Sequence, residues 1–145
     1  MSKCWIVVAH RAGARIFLDH GRSAPPELLH TLEHPAGRLQ ARELGSDRPG
    51  RTTASAGPGR HALADETSVR EQGAQVFARE LATRLAAARN AHECDAIVLV
   101  AEPHMLGLLR GALDAHTAAL VRASLARDLV HVADRDIGEH LRELE

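Results

Sequence analysis

Six residues suited to binding an anion lie within residues 45–66, a stretch that contains almost no large apolar side chain. They are Arg48, Arg51, Gly57, Gly59, Arg60 and His61. Arginine guanidinium groups bind phosphate oxygens through paired hydrogen bonds, and glycine leaves backbone N–H groups accessible to the same oxygens. The pattern indicates either a phosphate-binding loop or a disordered surface segment. The two hypotheses are compatible, because a loop can become ordered when it binds.

A second group of polar residues follows two apolar runs that are typical of buried strands. His10 comes directly after the first run, and Glu102 and His104 follow the second. Ligands of open α/β sheets bind at the carboxyl ends of the strands. The two histidines are therefore candidates for an acid/base pair, the alternative being two partly exposed histidines without a chemical role. The sequence contains no nucleophile elbow, phosphate-binding Walker loop or dinucleotide fingerprint.

Histidine and cysteine spacing does not predict a metal site. Of the ten histidines, only His30 and His34 have a helical spacing of four residues, and they lie in a segment that reads as a strand. Cys4 and Cys94 have no partners at metal-ligand spacing. We therefore expect two reduced structural cysteines, no metal and no cofactor.

Composition restricts the classes of partner. The chain has 145 residues, enough for one domain, and only 2% of them are aromatic. Domains that bind single-stranded nucleic acid by stacking need aromatic side chains, and general polyanion binders are strongly basic, whereas the net charge here is -1. Any nucleic-acid contact must come from a local patch. With no apolar run long enough for a membrane span and no signal peptide, we expect a cytoplasmic protein without a membrane partner.

Hydrophobic patterning predicts a mixed α/β fold. Apolar or alternating runs predict strands at residues 5–9, 14–19, 27–33, 96–101 and 121–125, with a brief extended piece at 130–132. A helix is the alternative for residues 121–125. Helices are predicted from Asp65 or Thr67 to about Asn90, over residues 103–113 and 115–120, and from Asp134 or Asp136 to Leu144, with a possible short helix at 38–44. The order β-β-β-α-β-α-β-α predicts a mixed five-stranded sheet flanked by helices.

The predicted long helix has apolar residues three and four positions apart, which favours burial of one face. The residues of this stripe are Val69, Gly73, Val76, Phe77, Leu81 and Leu85. In the next helix, Gly107 and Gly111 lie four residues apart, so a neighbouring backbone could approach closely at that face.

Four stretches resemble the bacterial family named "protein required for attachment to host cells": residues 5–9 with 12–17, 46–51, 57–63 and 106–110. That family is similar to the middle domain of archaeal and eukaryotic class-1 release factors and their bacterial relatives. The resemblance implies one ribonuclease-H-like domain over residues 1–145, with a long Gly/Arg-rich loop at about residues 35–65. Release factors carry Gly-Gly-Gln in this loop, whereas this chain has Gly-Pro-Gly-Arg-His at residues 57–61. The resemblance therefore does not extend to peptide release.

The sequence is compatible with three functions. The first is a binding module whose arginine loop docks on the ribosome or another structured RNA. The second is a factor with an indirect effect on attachment to host cells. The third is an enzyme acting on a phosphorylated small molecule near His10, Glu102 and His104. We expect the first function, and therefore no enzymatic activity.

Overall fold

Short apolar runs form a five-stranded sheet, β3-β2-β1-β4-β5, in the computed structural model, which describes residues 3–21, 23–34 and 59–142. The strands are β1 (Cys4–His10), β2 (Gly13–Leu18), β3 (Glu27–Glu33), β4 (Ala96–Ala101) and β5 (Val121–Ala126). β1, β2 and β3 pair antiparallel, whereas β4 is parallel to β1 and β5 is parallel to β4. The predicted five-stranded mixed sheet is confirmed.

A turn of two residues, Arg11 and Ala12, joins β1 to β2. A Cβ atom added at Gly13 would lie 2.5 Å from the backbone oxygen of Leu32 on β3, so a side chain at this position would displace the neighbouring strand. Glycine at the start of β2 therefore permits the three antiparallel strands to pair up to their ends.

In the part of the chain that the structure describes, four α-helices flank the sheet. They are α1 (Gly59–Asn90), α2 (Pro103–Ala112), α3 (Ala115–Ala118) and α4 (Ile137–Leu141), with a 3-10 turn at Asp134–Asp136 before α4. The prediction that α1 begins at Asp65 or Thr67 is wrong, because the helix begins at Gly59. Residues 60–64 contain no glycine or proline and include Arg, Ala and Leu, which favour a helix. The possible helix at 38–44 lies outside the described residues.

The core has two parts, one on each face of the sheet. α1 and α2 cover one face, where Trp5, Phe77 and Leu109 are buried. The segment after β5 and α4 cover the other, where Phe17 and Ile137 are buried. The apolar patterning of the sequence predicts eight core residues, and all eight are buried: Trp5, Ile6, Val8, Phe17, Phe77, Leu81, Ile97 and Leu99.

The apolar stripe of α1 differs from its prediction at two residues. Val69 and Val76 are 39% and 38% exposed, whereas Ala74 and Ala78 are buried beside Phe77. The small alanine side chains let the helix pack close to the sheet, and this turns the two valines outward.

Two smaller predictions are also wrong. An added Cβ at Gly107 or Gly111 would meet no atom of residues 3–21, 23–34 and 59–142 within 4 Å, so no backbone in those ranges approaches them closely. Residues 130–132 form a turn rather than an extended piece. Val130 N–H donates to Asp128 Oδ1 at 3.1 Å and Val132 N–H donates to Leu129 O at 3.0 Å, and these two bonds close the chain into the turn.

The cysteines behave as the sequence predicts. Cys4 and Cys94 are free and buried, and burial raises the pKa of both thiols above the ordinary value of 9.0. None of the helices in the described ranges is long and apolar enough to cross a membrane.

Candidate functional site

Two parallel strands bring the candidate acid/base residues to one edge of the sheet. β1 and β4 are neighbours, with Val8 opposite Val100, so the residues that follow them lie side by side. His10 ends β1 and Arg11 follows it. This carboxyl edge is where open α/β sheets place their ligands.

Glu102 stabilises the start of α2. Its two carboxylate oxygens accept hydrogen bonds from the backbone N–H groups of His104, at 3.1 Å, and Met105, at 2.7 Å. Pro103 occupies the first turn, where a missing N–H costs nothing. A glutamate in this position is a helix cap, a structural role that the sequence prediction did not include. The predicted chemical role of Glu102 stays a prediction.

His104 pairs with a glutamate of α1. The His104 Nε2 atom lies 2.6 Å from Glu71 Oε1, and Gln75 Nε2 donates to Glu71 Oε2 at 3.1 Å. These hydrogen bonds, first from His104 and then from Gln75, hold the pKa of Glu71 below its ordinary value, and the nearby charge of Arg11 acts in the same direction. The two side chains are 49% and 35% exposed, so the pair is open to a ligand from solvent.

Sequence reasoning missed Glu71. It lies 33 residues before His104, and no spacing rule connects the middle of a helix to the start of the next one. The packing of α1 against α2 in three dimensions creates the pair. The signal in the sequence is the order strand, long helix, strand, a crossover unit that predicts parallel strands with the long helix packed along the sheet.

His10 lies at the β1–β2 turn. Its Nδ1 atom accepts a hydrogen bond from the backbone N–H of Ala12 at 3.2 Å, which orients the half-buried ring. The ring lines a small open cavity of about 230 Å³, together with Thr31, Glu33 and Val130. The structure thus places His10 and His104 at the same edge, each with a partner of its own.

The first turns of α1 extend past this edge. Since Glu71 meets His104 at the edge, residues 59–70 run beyond it. At 1.5 Å per helical residue, that length is about 18 Å. Gly59, Arg60 and His61 lie in the first turn of this projecting end. Arg48, Arg51 and Gly57 lie outside the described residues.

The sequence as a whole matches one family model. The family is described as "Protein required for attachment to host cells", and the match covers residues 5–141. The chain belongs to this family. A comparison with curated proteins found no match.

His30 and His34, the two histidines with a helical spacing, lie in different environments. His34 is buried and stacks on Phe77, with ring centres 5.0 Å apart. His30 lies against Trp5 at 5.5 Å. Within the described ranges, no three histidine, cysteine, aspartate or glutamate side chains are grouped so that they could hold a metal ion.

Proposed function

We propose that this family member binds phosphate groups of a structured RNA, such as ribosomal RNA, through the projecting end of α1 and the residues that precede it. The observation that carries the proposal is the extension of residues 59–70 beyond the carboxyl edge of the sheet. The first four N–H groups of a helix have no acceptor within the helix, and they favour an anion such as phosphate. Arg60 and His61 belong to this first turn.

Charge and fold support the same proposal. The net charge of -1 restricts an RNA contact to a local patch, and Arg48, Arg51 and Arg60 lie in a glycine-rich stretch that could provide one. A ribonuclease-H-like fold, which the resemblance to release-factor middle domains implies, agrees with three antiparallel strands followed by two parallel ones. In this proposal the family's role in attachment to host cells is an indirect effect of RNA binding.

The test removes the three arginines and measures binding to purified ribosomes at several salt concentrations. Each phosphate contact releases about 0.7–0.9 of a counterion. The triple variant R48A/R51A/R60A should therefore lose affinity, and the slope of log affinity against log salt should flatten by roughly two to three units. Lysine at the same three positions should restore part of the slope but less of the affinity, because lysine lacks the paired donors of arginine.

A matched control variant removes three arginines at other positions, so that it loses the same amount of positive charge. Arg79 and Arg84 are exposed on α1, and Arg110 is exposed on α2. The variant R79A/R84A/R110A should bind as the wild type does, and both variants should keep the wild-type melting temperature. Equal loss in the two triple variants, or absence of any salt-dependent binding by the wild type, would contradict RNA binding at the projecting end.

A second function is favoured by the Glu71–His104 contact of 2.6 Å. A carboxylate that accepts the Nε2 proton of a histidine leaves Nδ1 free to act as a general base. This arrangement suits an enzyme acting on a phosphorylated small molecule at the carboxyl edge. A panel of phosphate esters tests it: turnover that E71Q and H104Q both reduce supports the enzyme, and absence of wild-type turnover across the panel excludes it.

A further inference from the structure

An open groove of about 1000 Å³ lies on the face of the sheet that α1 and α2 do not cover. Its floor consists of Ile6, Val98 and Ala123, one residue from each of three adjacent strands. Ile6 and Val98 are only 1% and 4% exposed, whereas Ala123 is partly exposed, so Ala123 provides most of the accessible apolar surface of this floor. Together with Pro25, Pro26 and Leu141, Ala123 forms the apolar part of a groove that is otherwise polar and is wide enough for a small molecule.

The two walls of the groove come from different parts of the chain. One wall is the connection between β2 and β3, including Pro25 and Pro26, and the other is α4, including Gly138 and Leu141. The walls touch at one end, where a Cβ atom added at Gly138 would lie 3.1 Å from Pro26 Cδ.

The position of the groove separates it from the carboxyl edge. Asp19, at its rim, donates its backbone N–H to the carbonyl of Cys4 at 2.9 Å, which places the rim at the amino end of β1. Arg122, on the same rim, is near the amino end of β5. The groove and the Glu71–His104 pair therefore lie at opposite ends of the strands.

Positive charge exceeds negative charge around the groove. Its charged lining residues are Arg122, Arg135, Arg142, Asp19 and Glu139. Arg122 Nη2 donates to Asp19 Oδ2 at 3.4 Å, so these two charges compensate each other. Neither Arg135 nor Arg142 forms a side-chain hydrogen bond or ion pair with a residue in the described ranges. Both flank α4 and present exposed guanidinium groups above an apolar floor.

We propose that this groove binds a small organic anion with an apolar body and a carboxylate or phosphate head. The body lies on Ala123 between Pro26 and Leu141, and the head is held by Arg135 and Arg142. Ligand sites of this kind combine an apolar lining with a few polar groups that fix orientation. Guanidinium groups form strong charge-assisted hydrogen bonds with carboxylate and phosphate.

The test uses three ten-carbon probes that differ in their heads: decanoate, decyl phosphate and decanol. Isothermal titration calorimetry with the full chain should show saturable binding of at least one of the two anions, and the tighter one identifies the head. Decanol should bind at least about tenfold more weakly, because it forms no charge-assisted hydrogen bond. Amide chemical shifts should change at Ala123 and Gly138.

Two variants test separately how the head and the body of the ligand contribute to its affinity. R135A/R142A should weaken anion binding by about tenfold or more and leave decanol binding unchanged. A123F fills the floor without changing charge, and it should weaken binding of every probe. The control R79A/R84A removes the same charge from exposed positions of α1 and should bind as the wild type does.

Three outcomes would overturn the proposal. Decanol binding as tightly as both anions would show that the arginines do not recognise the head. Inorganic phosphate binding as tightly as decyl phosphate would show that the apolar floor contributes nothing. Wild-type affinity in R135A/R142A, with the melting temperature confirming that the variant is folded, would place the anion elsewhere.

Discussion

Glu71 accepts hydrogen bonds from two side chains, His104 on α2 and Gln75 one turn along α1. It connects the long helix to the edge of the sheet at the level where the helix begins to project. The sequence identified this edge through His10, Glu102 and His104, because apolar runs reveal where strands end. It did not identify Glu71, because only the packing of α1 against α2 brings that carboxylate to the histidine.

Stability should depend on pH through Glu71. Its pKa in the folded protein lies below the ordinary value of 4.5, so its stabilising contribution is present above that value and is lost as the pH falls through the folded pKa. The variant E71Q has no carboxylate to titrate. The difference in free energy of unfolding between wild type and E71Q should therefore be larger at pH 7 than at pH 3, as measured by urea unfolding. A difference that stays constant over this range would show that the His104 hydrogen bond does not favour the ionised carboxylate.

The second prediction at this scale concerns His34, which is 5% exposed. Its Nε2 atom is buried without a hydrogen-bond partner among the described residues. A buried polar atom left unsatisfied costs about 1–3 kcal/mol, so H34L should keep or raise the free energy of unfolding. The denaturant midpoint measures this, with H30L as a control at the more exposed histidine. A loss above about 1 kcal/mol would mean that Nε2 is hydrogen-bonded in solution.

At the scale of elements, the strands follow directly from sequence and the helix boundaries do not. β1 and β4 are short, rich in Ile and Val and buried on both faces, a pattern that few other structures produce. The start of α1 was misplaced, since Asp65 and Thr67 resemble caps although the residues before them already favour a helix. The exposed Val69 and Val76 show that the face of a helix depends on its partner as well as on its period.

The prediction at the scale of elements concerns Glu102, which caps the start of α2. E102A removes the acceptor for two backbone N–H groups and should cost about 1 kcal/mol of stability, as the loss of helix caps does. E102D should retain most of this stability, because aspartate is a good cap. Thermal unfolding followed by circular dichroism compares the two variants. Equal melting temperatures for wild type and E102A would show that Glu102 does not stabilise the helix.

The whole molecule is organised around a sheet with a core on each face, and β1 contributes alternate side chains to both. Because the two cores share this central strand, we expect them to unfold together. F77A, in the core under α1, and F17A, in the core under α4, should each cost about 3–5 kcal/mol. Scanning calorimetry should show one transition in each variant, with the calorimetric and van't Hoff enthalpies equal. Two separate transitions in either variant would show that the cores are independent.

The packing of Trp5 determines the intrinsic fluorescence of the protein. Trp5 is the only tryptophan, there is no tyrosine, and its indole is 4% exposed beside His30 in the centre of the sheet. Nearly all the ultraviolet emission of the native protein therefore arises from one place, shielded from water. A red shift of that emission reports the opening of the central strand, without any label and without a contribution from the groove or from the projecting end of α1.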